Sequence, residues 1–154
     1  MPDIIRRSAA RAVIIDDISN KIAIIEVKNG DFHKIPGGGI EAGETAEMAA
    51  IRESLEEGGC EVVIINRLGE HEFFDPKDKN NYHHSIGFLA KKIKDHPAPA
   101  FTQEEISKHY KLLWLTFEEA IKRFTDTKST VPFELAMNNR DLDFIKIAQE
   151  YLKK

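Results

Sequence analysis

The chain has 154 residues, of which 42% are hydrophobic and 31% charged, with a formal net charge of −4. Such a chain suits one globular domain over residues 1–154 with a buried core, and its charge offers no basic field for long nucleic acid. The single cysteine, Cys60, excludes an internal disulfide, no run nears the ~18 apolar residues of a membrane span, and the N-terminus lacks a signal-peptide apolar run, so a cytoplasmic protein is expected.

Ala9 to Ile15 reads as a strand, and Asp16 to Lys21 as a polar turn. Ile22 to Val27 reads as a second strand, closed by the Asn29-Gly30 turn signal. Phe32 to Pro36 leads extended into Gly37-Gly38-Gly39, because Pro36 biases Ile35 away from helix. Thr45 to Glu57 carries no Pro or Gly and is stopped by Gly58-Gly59, which predicts a helix. Glu61 to Ile65 and His71 to Asp75 read as strand, and 75–81 as a hairpin tip. Tyr82 to Ile93 follows as a strand, then an irregular connector with Pro97 and Pro99, with Glu104 and Glu105 in a loop. Lys111 to Leu115 is a short strand holding Trp114. Thr116 to Glu119 forms a capping box for a helix to about Phe124. Pro132 suits a first helical turn, and the rest is helical to Tyr151, with a break expected over Asn138 to Asp141. Strands mixed with helices predict an α/β fold.

The chemistry concentrates in the helix after the glycines. Met48, Ile51 and Leu55 share one side of it; Glu53, Glu56 and Glu57 share the opposite side at i, i+3 and i+4. Like charges at that spacing repel. Metal-free, the cluster is therefore expected to destabilise the fold, and Glu56→Gln to raise the melting temperature. Carboxylate oxygens suit a hard cation such as Mg²⁺, which commonly bridges protein carboxylates and substrate phosphates. The residues point to a divalent-metal site for a phosphate compound.

Gly38, Glu44, Arg52, Glu53, Glu56, Glu57 and Gly59 resemble the Nudix box, G-x5-E-x7-R-E-U-x-E-E-x-G-U, with U apolar. Ser54 and Cys60 stand at the apolar positions; Ser54 is expected to loosen helix packing. The resemblance implies a Nudix-type α/β/α sandwich with a mixed β-sheet. It also implies hydrolysis of a diphosphate linkage in a nucleoside diphosphate linked to a group X, by water, with Mg²⁺ or Mn²⁺. It makes Glu53, Glu56, Glu57 and the Gly38 carbonyl the metal ligands, with Glu53 as an alternative general base. Arg52 would orient the glutamates, and Glu44 would support the loop. An extra acid outside the box is sought at Glu104 or Glu105, less at Glu70 or Glu72. The partner implied is a small nucleotide, and the family leaves room for a homodimer.

For substrate contacts, Arg11 is the candidate phosphate grip, with Arg6 and Arg7 beside it in sequence. Phe32 and Tyr82 are the candidate stacking rings, among Phe73, Phe74, Phe88 and Trp114. Only one of His83 and His84 can face a site, since strand neighbours point to opposite sides. Alternative functions are a catalytically silent nucleotide-binding or regulatory module, against which the retained glutamates stand, and a hydrolase of non-nucleotide phosphates. Oxidised dGTP, ADP-ribose and dinucleoside polyphosphates remain open as substrates.

Overall fold

The computed structural model describes residues 5–154. Its strands are β1 (Ile5–Asp16), β2 (Lys21–Val27), β3 (Phe32–Lys34), β4 (Gly37–Gly39), β5 (Cys60–Asp75), β6 (Asp78–Asp95) and β7 (Lys111–Thr116). The α-helices are α1 (Ala46–Glu56), α2 (Gln103–Ser107), α3 (Phe117–Thr125) and α4 (Pro132–Leu152). The seven strands form one sheet in the order β3-β2-β1-β6-β5, with β4 added beside β1 and β7 beside β2. It is mixed: β1 and β6 run parallel, and the other pairs antiparallel. The expected α/β fold with a mixed sheet is the one observed. Among the described residues, no helix is long and apolar enough to cross a membrane.

Alternation along the strands makes two cores. Val13, Ile22, Ile24 and Leu89 pack beneath α3 and α4 with Phe124, Phe144 and Ile145. Ala10 and Phe88 pack on the other face against Ala49 and Ala50 of α1. α1 is capped by Thr45, whose hydroxyl accepts from the Met48 N–H. Its orientation runs against a plain hydrophobic reading. Met48, Ile51 and Leu55 are 53%, 42% and 39% exposed, while Ala49, Ala50, Glu53 and Ser54 are buried. Small side chains let the helix axis come close to β1 and β5, so Glu53 and Glu57 turn inward while Glu56 stays half-exposed. Ser54 does not loosen this contact: its hydroxyl donates to the Ala50 carbonyl at 2.7 Å.

Several boundaries differ from the sequence reading. β5 is one long strand, because bulges at Ile64/Asn66 and Arg67/Gly69 absorb the polar stretch that broke the pattern. Glu104 and Glu105 lie in α2, not in a loop; Thr102 and Glu105 make a reciprocal capping box there. α4 does not break at Asn138 to Asp141. Asn138, Arg140 and Asp141 are buried and bonded, with the Asn138 amide donating to the Phe124 carbonyl at 2.9 Å and its oxygen accepting from the His33 N–H, while Asn139 is exposed.

Two measurements check the packing. A Cβ on Gly87 would lie 2.5 Å from the Phe144 ring. Gly87→Ala should therefore cost about 1–3 kcal/mol by overpacking, read from urea unfolding. Cys60 is fully buried, and burial pushes its thiol up to about 11. A disulfide reagent at pH 8 should leave the folded protein unlabelled and label one thiol after denaturation.

Candidate functional site

The site lies where β4 ends and α1 begins. Gly38 is placed so that a Cβ there would fall 2.5 Å from Glu53 Oε1. Only glycine lets the backbone come that close to the carboxylate. Arg52 gathers the acids around this turn. Its Nε and Nη2 donate to both Glu44 oxygens at 2.7 and 3.0 Å. Nη1 donates to Glu53 at 2.8 Å and to Glu56 at 3.2 Å, and Nη2 also donates to the Gly39 carbonyl at 2.9 Å. Hydrogen bonds from Arg52 hold the Glu44 carboxyl well below its ordinary range. Burial, then the charge of Glu57, pushes Glu53 above its ordinary value.

Glu57 is 2% exposed. The Lys34 ammonium donates to its two oxygens at 3.0 and 3.3 Å, and the Gly37 N–H donates at 3.1 Å. Burial opposes its ionisation, but the Lys34 charge and hydrogen bonds from Glu105 and Gly37 outweigh that and lower the pKa. Glu105 goes the other way. Burial and its hydrogen bond to Glu57 push it up to about 7. Of the acids sought outside the box, Glu105 is the one brought to the site. Glu104 is 76% exposed and pairs with Lys108.

The helix-face repulsion expected from the sequence is thus largely answered within the protein. Arg52 bridges Glu53 and Glu56, and Lys34 holds Glu57. Glu56→Gln should consequently not stabilise the metal-free protein, which corrects the expectation drawn from spacing alone. Among the described residues, no three His, Cys, Asp or Glu side chains converge as a ready-made metal cage. The donor set is nonetheless all hard oxygen, the carboxylates of Glu53 and Glu56 and the Gly38 backbone standing close together at the turn, which fits Mg²⁺ or Mn²⁺.

Arg11 projects from β1, beside Gly37 of β4. Its charge neighbours are Arg140, Asp141, Glu57 and Glu53; burial and then Arg140 lower it to about 10, so it stays charged at neutral pH. Its Nε is buried and has no partner. Asp141 is engaged by Arg140 at 2.8 Å and accepts the Ile35 N–H at 3.0 Å. Phe32 does not reach this cleft. It is 4% exposed and packs with Ile25 and Val27, with Phe101 and Tyr110 against them, because it shares a face with the apolar residues of β2. Tyr82 lies on the opposite side of β6 from His83, with Phe74 at 5.1 Å and Arg6 over its ring. Lys34 and Arg140 were not anticipated; Lys34, in the segment leading to the glycines, carried the only local signal.

The buried pair yields a stability test. Lys34→Met leaves the Glu57 charge without its cation and should cost about 3–5 kcal/mol at pH 7. Glu57 has a lowered folded pKa, so its contribution is present above the unfolded carboxylate value and lost as pH falls below it. The gap between wild type and variant should therefore narrow below about pH 4. A constant gap across urea melts from pH 7 to 3 would contradict the ion pair.

Residues 6–134 match the family described as NUDIX domain. An ADP-ribose pyrophosphatase of Methanocaldococcus jannaschii is 38% identical over 84 residues, covering 51% of this chain and 49% of that protein. The chain spans about half the length of the curated relatives it matches. A NUDIX hydrolase from Nitrosomonas europaea superposes with a TM-score of 0.72 at 16% identity, over 96% of this chain and 90% of that one. A MutT protein from Methanosarcina mazei Go1 superposes with a TM-score of 0.65 at 17% identity, over the full length of both. At such identities these two structures speak to the fold. The family match covers most of the chain and contains the whole cluster from Arg11 to Glu105: the chain belongs to the NUDIX domain family.

Proposed function

We propose that the chain hydrolyses a diphosphate linkage in a nucleoside diphosphate bonded to a second group, with Mg²⁺ or Mn²⁺ as cofactor. The observation that carries this reading is the Arg52 fork, which holds Glu44, Glu53 and Glu56 at the glycine turn beside the buried Glu57. Similarity to an ADP-ribose pyrophosphatase agrees with a substrate of this class.

Glu53, Glu56, Glu57 and the Gly38 carbonyl would hold the cation. Bound there, it would offset diphosphate charge and acidify water. Water attacks one phosphorus, the P–O–P bond breaks, and the departing phosphate takes the bridging oxygen. Glu53 accepts the proton of the attacking water, and Arg52 fixes its orientation. Lys34 keeps Glu57 ionised and still. Arg11 presents its guanidinium to a phosphoryl oxygen, the partner its Nε lacks.

The experiment is a panel of nucleoside triphosphates and nucleoside diphosphate derivatives, assayed for phosphate and pyrophosphate release. Activity should appear with Mg²⁺ or Mn²⁺ and vanish in EDTA; equal rates in both overturn the metal role. Glu53→Gln should lower kcat by about 10²–10⁴, as removal of a general base does. Arg11→Ala should raise KM more than it lowers kcat, whereas an unchanged KM would remove Arg11 from the substrate contacts.

A further inference from the structure

His33 and Lys34 are neighbours in β3, so their side chains leave the sheet on opposite sides. Lys34 goes to Glu57. The His33 ring goes to Phe124 of α3, with centroids 5.8 Å apart. Beside it lies a cavity of about 530 Å³, between Glu26 of β2, the Asn29-Gly30 turn, and α3 with the loop that follows. None of Glu53, Glu56 and Glu57 lines it. The loop is pinned against the turn. The N–H groups of Lys128 and Ser129 and the Thr127 hydroxyl all donate to the Asp31 carbonyl, at 3.0, 2.9 and 3.0 Å. That wall is therefore fixed by the main chain.

His33 lines the cavity from the sheet side. It is 4% exposed, and both of its ring nitrogens are buried without a partner. Glu26 Oε2 stands 3.8 Å from Nε2, beyond hydrogen-bond reach. Buried polar atoms left unpaired cost stability, and an occupant that bonds the ring would restore it. Burial holds the imidazole below its ordinary pKa, so at neutral pH the ring is uncharged and has an N–H to donate.

The charged walls decide what the occupant is. Three acids and three bases line the cavity, and the acids are already engaged. Asp126 accepts from Lys122 at 2.7 Å, Glu26 from Arg123 at 3.4 Å, and Glu119 from the Thr116 N–H at 3.0 Å. The bases are not used up. Lys128 has no ion pair among the described residues, and Arg123 makes only the long contact to Glu26. The spare capacity is thus on the donor side. A cation would meet acids that already hold donors, and an apolar molecule would leave His33 unanswered. We propose that this cavity is a second ligand site, which takes a small oxyanion, a phosphate or a carboxylate, between Lys128, Arg123 and the His33 ring. Charge-assisted hydrogen bonds from the two bases hold the anion, and the imidazole N–H donates to it from below. The site needs nothing from the diphosphate-hydrolase reading and stands or falls apart from it.

The test follows the histidine ring nitrogens by NMR on the isotope-labelled full chain, with His33 assigned through its own backbone. Inorganic phosphate and malonate are titrated separately, each against sodium chloride at equal ionic strength. At least one of the two should move the His33 signals saturably while chloride does not. A response to phosphate alone or to malonate alone supports the site and says which oxyanion it prefers. No saturable response to either, or an equal response to chloride, overturns the proposal. Lys128→Ala and Arg123→Gln both alter exposed residues, so the fold should survive them. Each should weaken the response about tenfold, the loss of one hydrogen bond to a charged group. A response of wild-type strength in both variants would place the anion elsewhere and would likewise overturn the proposal.

Discussion

Everything at the site depends on how buried carboxylates are kept charged. A carboxylate taken from water costs several kcal/mol unless a cation and hydrogen bonds answer it. Glu57, at 2% exposure, is answered by Lys34 and by the Gly37 N–H. These two partners come from the segment just before the box, so the pair also fixes the path of residues 34–37. Gly38 and Gly39 follow directly, and their backbone is what meets Glu53 and Arg52. One ion pair therefore aligns the turn with the helix. Arg52 does the same from the helix side, reaching back to Glu44 and the Gly39 carbonyl.

The box itself was legible in the sequence, since fixed residue types at fixed spacing specify a turn, a helix and one face of it. What spacing did not reveal was the sign of the surroundings. The i, i+3, i+4 glutamates read as repelling neighbours, but Arg52 sits one residue before the first and one turn before the second, inside the cluster. Lys34 and Glu105 were harder to place, because their relation to Glu57 comes from the packing of β3 and α2 across long loops. Phe32 and Tyr82 illustrate the same limit at the substrate end. Aromatic type marks a stacking candidate, but strand phase decides the face, and phase follows from register. Once Phe32 pairs with Val27 and Lys34 with Ile25, the Phe32 ring is committed to the core.

Phase also explains why β6 serves two environments. His83 and Gly87 face α4, while Tyr82, His84 and Phe88 face the α1 side. Glycine at 87 is required by the close passage of Phe144. That passage brings α4 down onto the sheet, which carries Phe133 to His83 at one end and Ile145 into the core further along. Missing side-chain volume at one strand position thus sets the height of a helix, and the height of the helix sets how closely Phe133 meets His83.

The polar run of α4, Asn138-Asn139-Arg140-Asp141, has the composition of a helix break, yet the helix continues through it. The reason is that Asn138 and Asp141 serve other backbones and not their own, and Arg140 pairs with the Asp141 carboxylate. Asn138 accepts from the His33 N–H and Asp141 from the Ile35 N–H, at alternate residues of β3 and its exit. Two extended residues advance about 6–7 Å, and three helical residues advance about 4.5 Å and return to nearly the same face, so the side chains of Asn138 and Asp141 can each reach one of the two N–H groups. Two anchors at that separation prevent the segment from twisting about its own axis. Lys34 lies between them, so its ammonium is held on the Glu57 side, while Arg140 and Arg11 share Asp141 behind it. The stretch of α4 that lies beyond the matched residues 6–134 thereby bears on the geometry of acids that the box supplies.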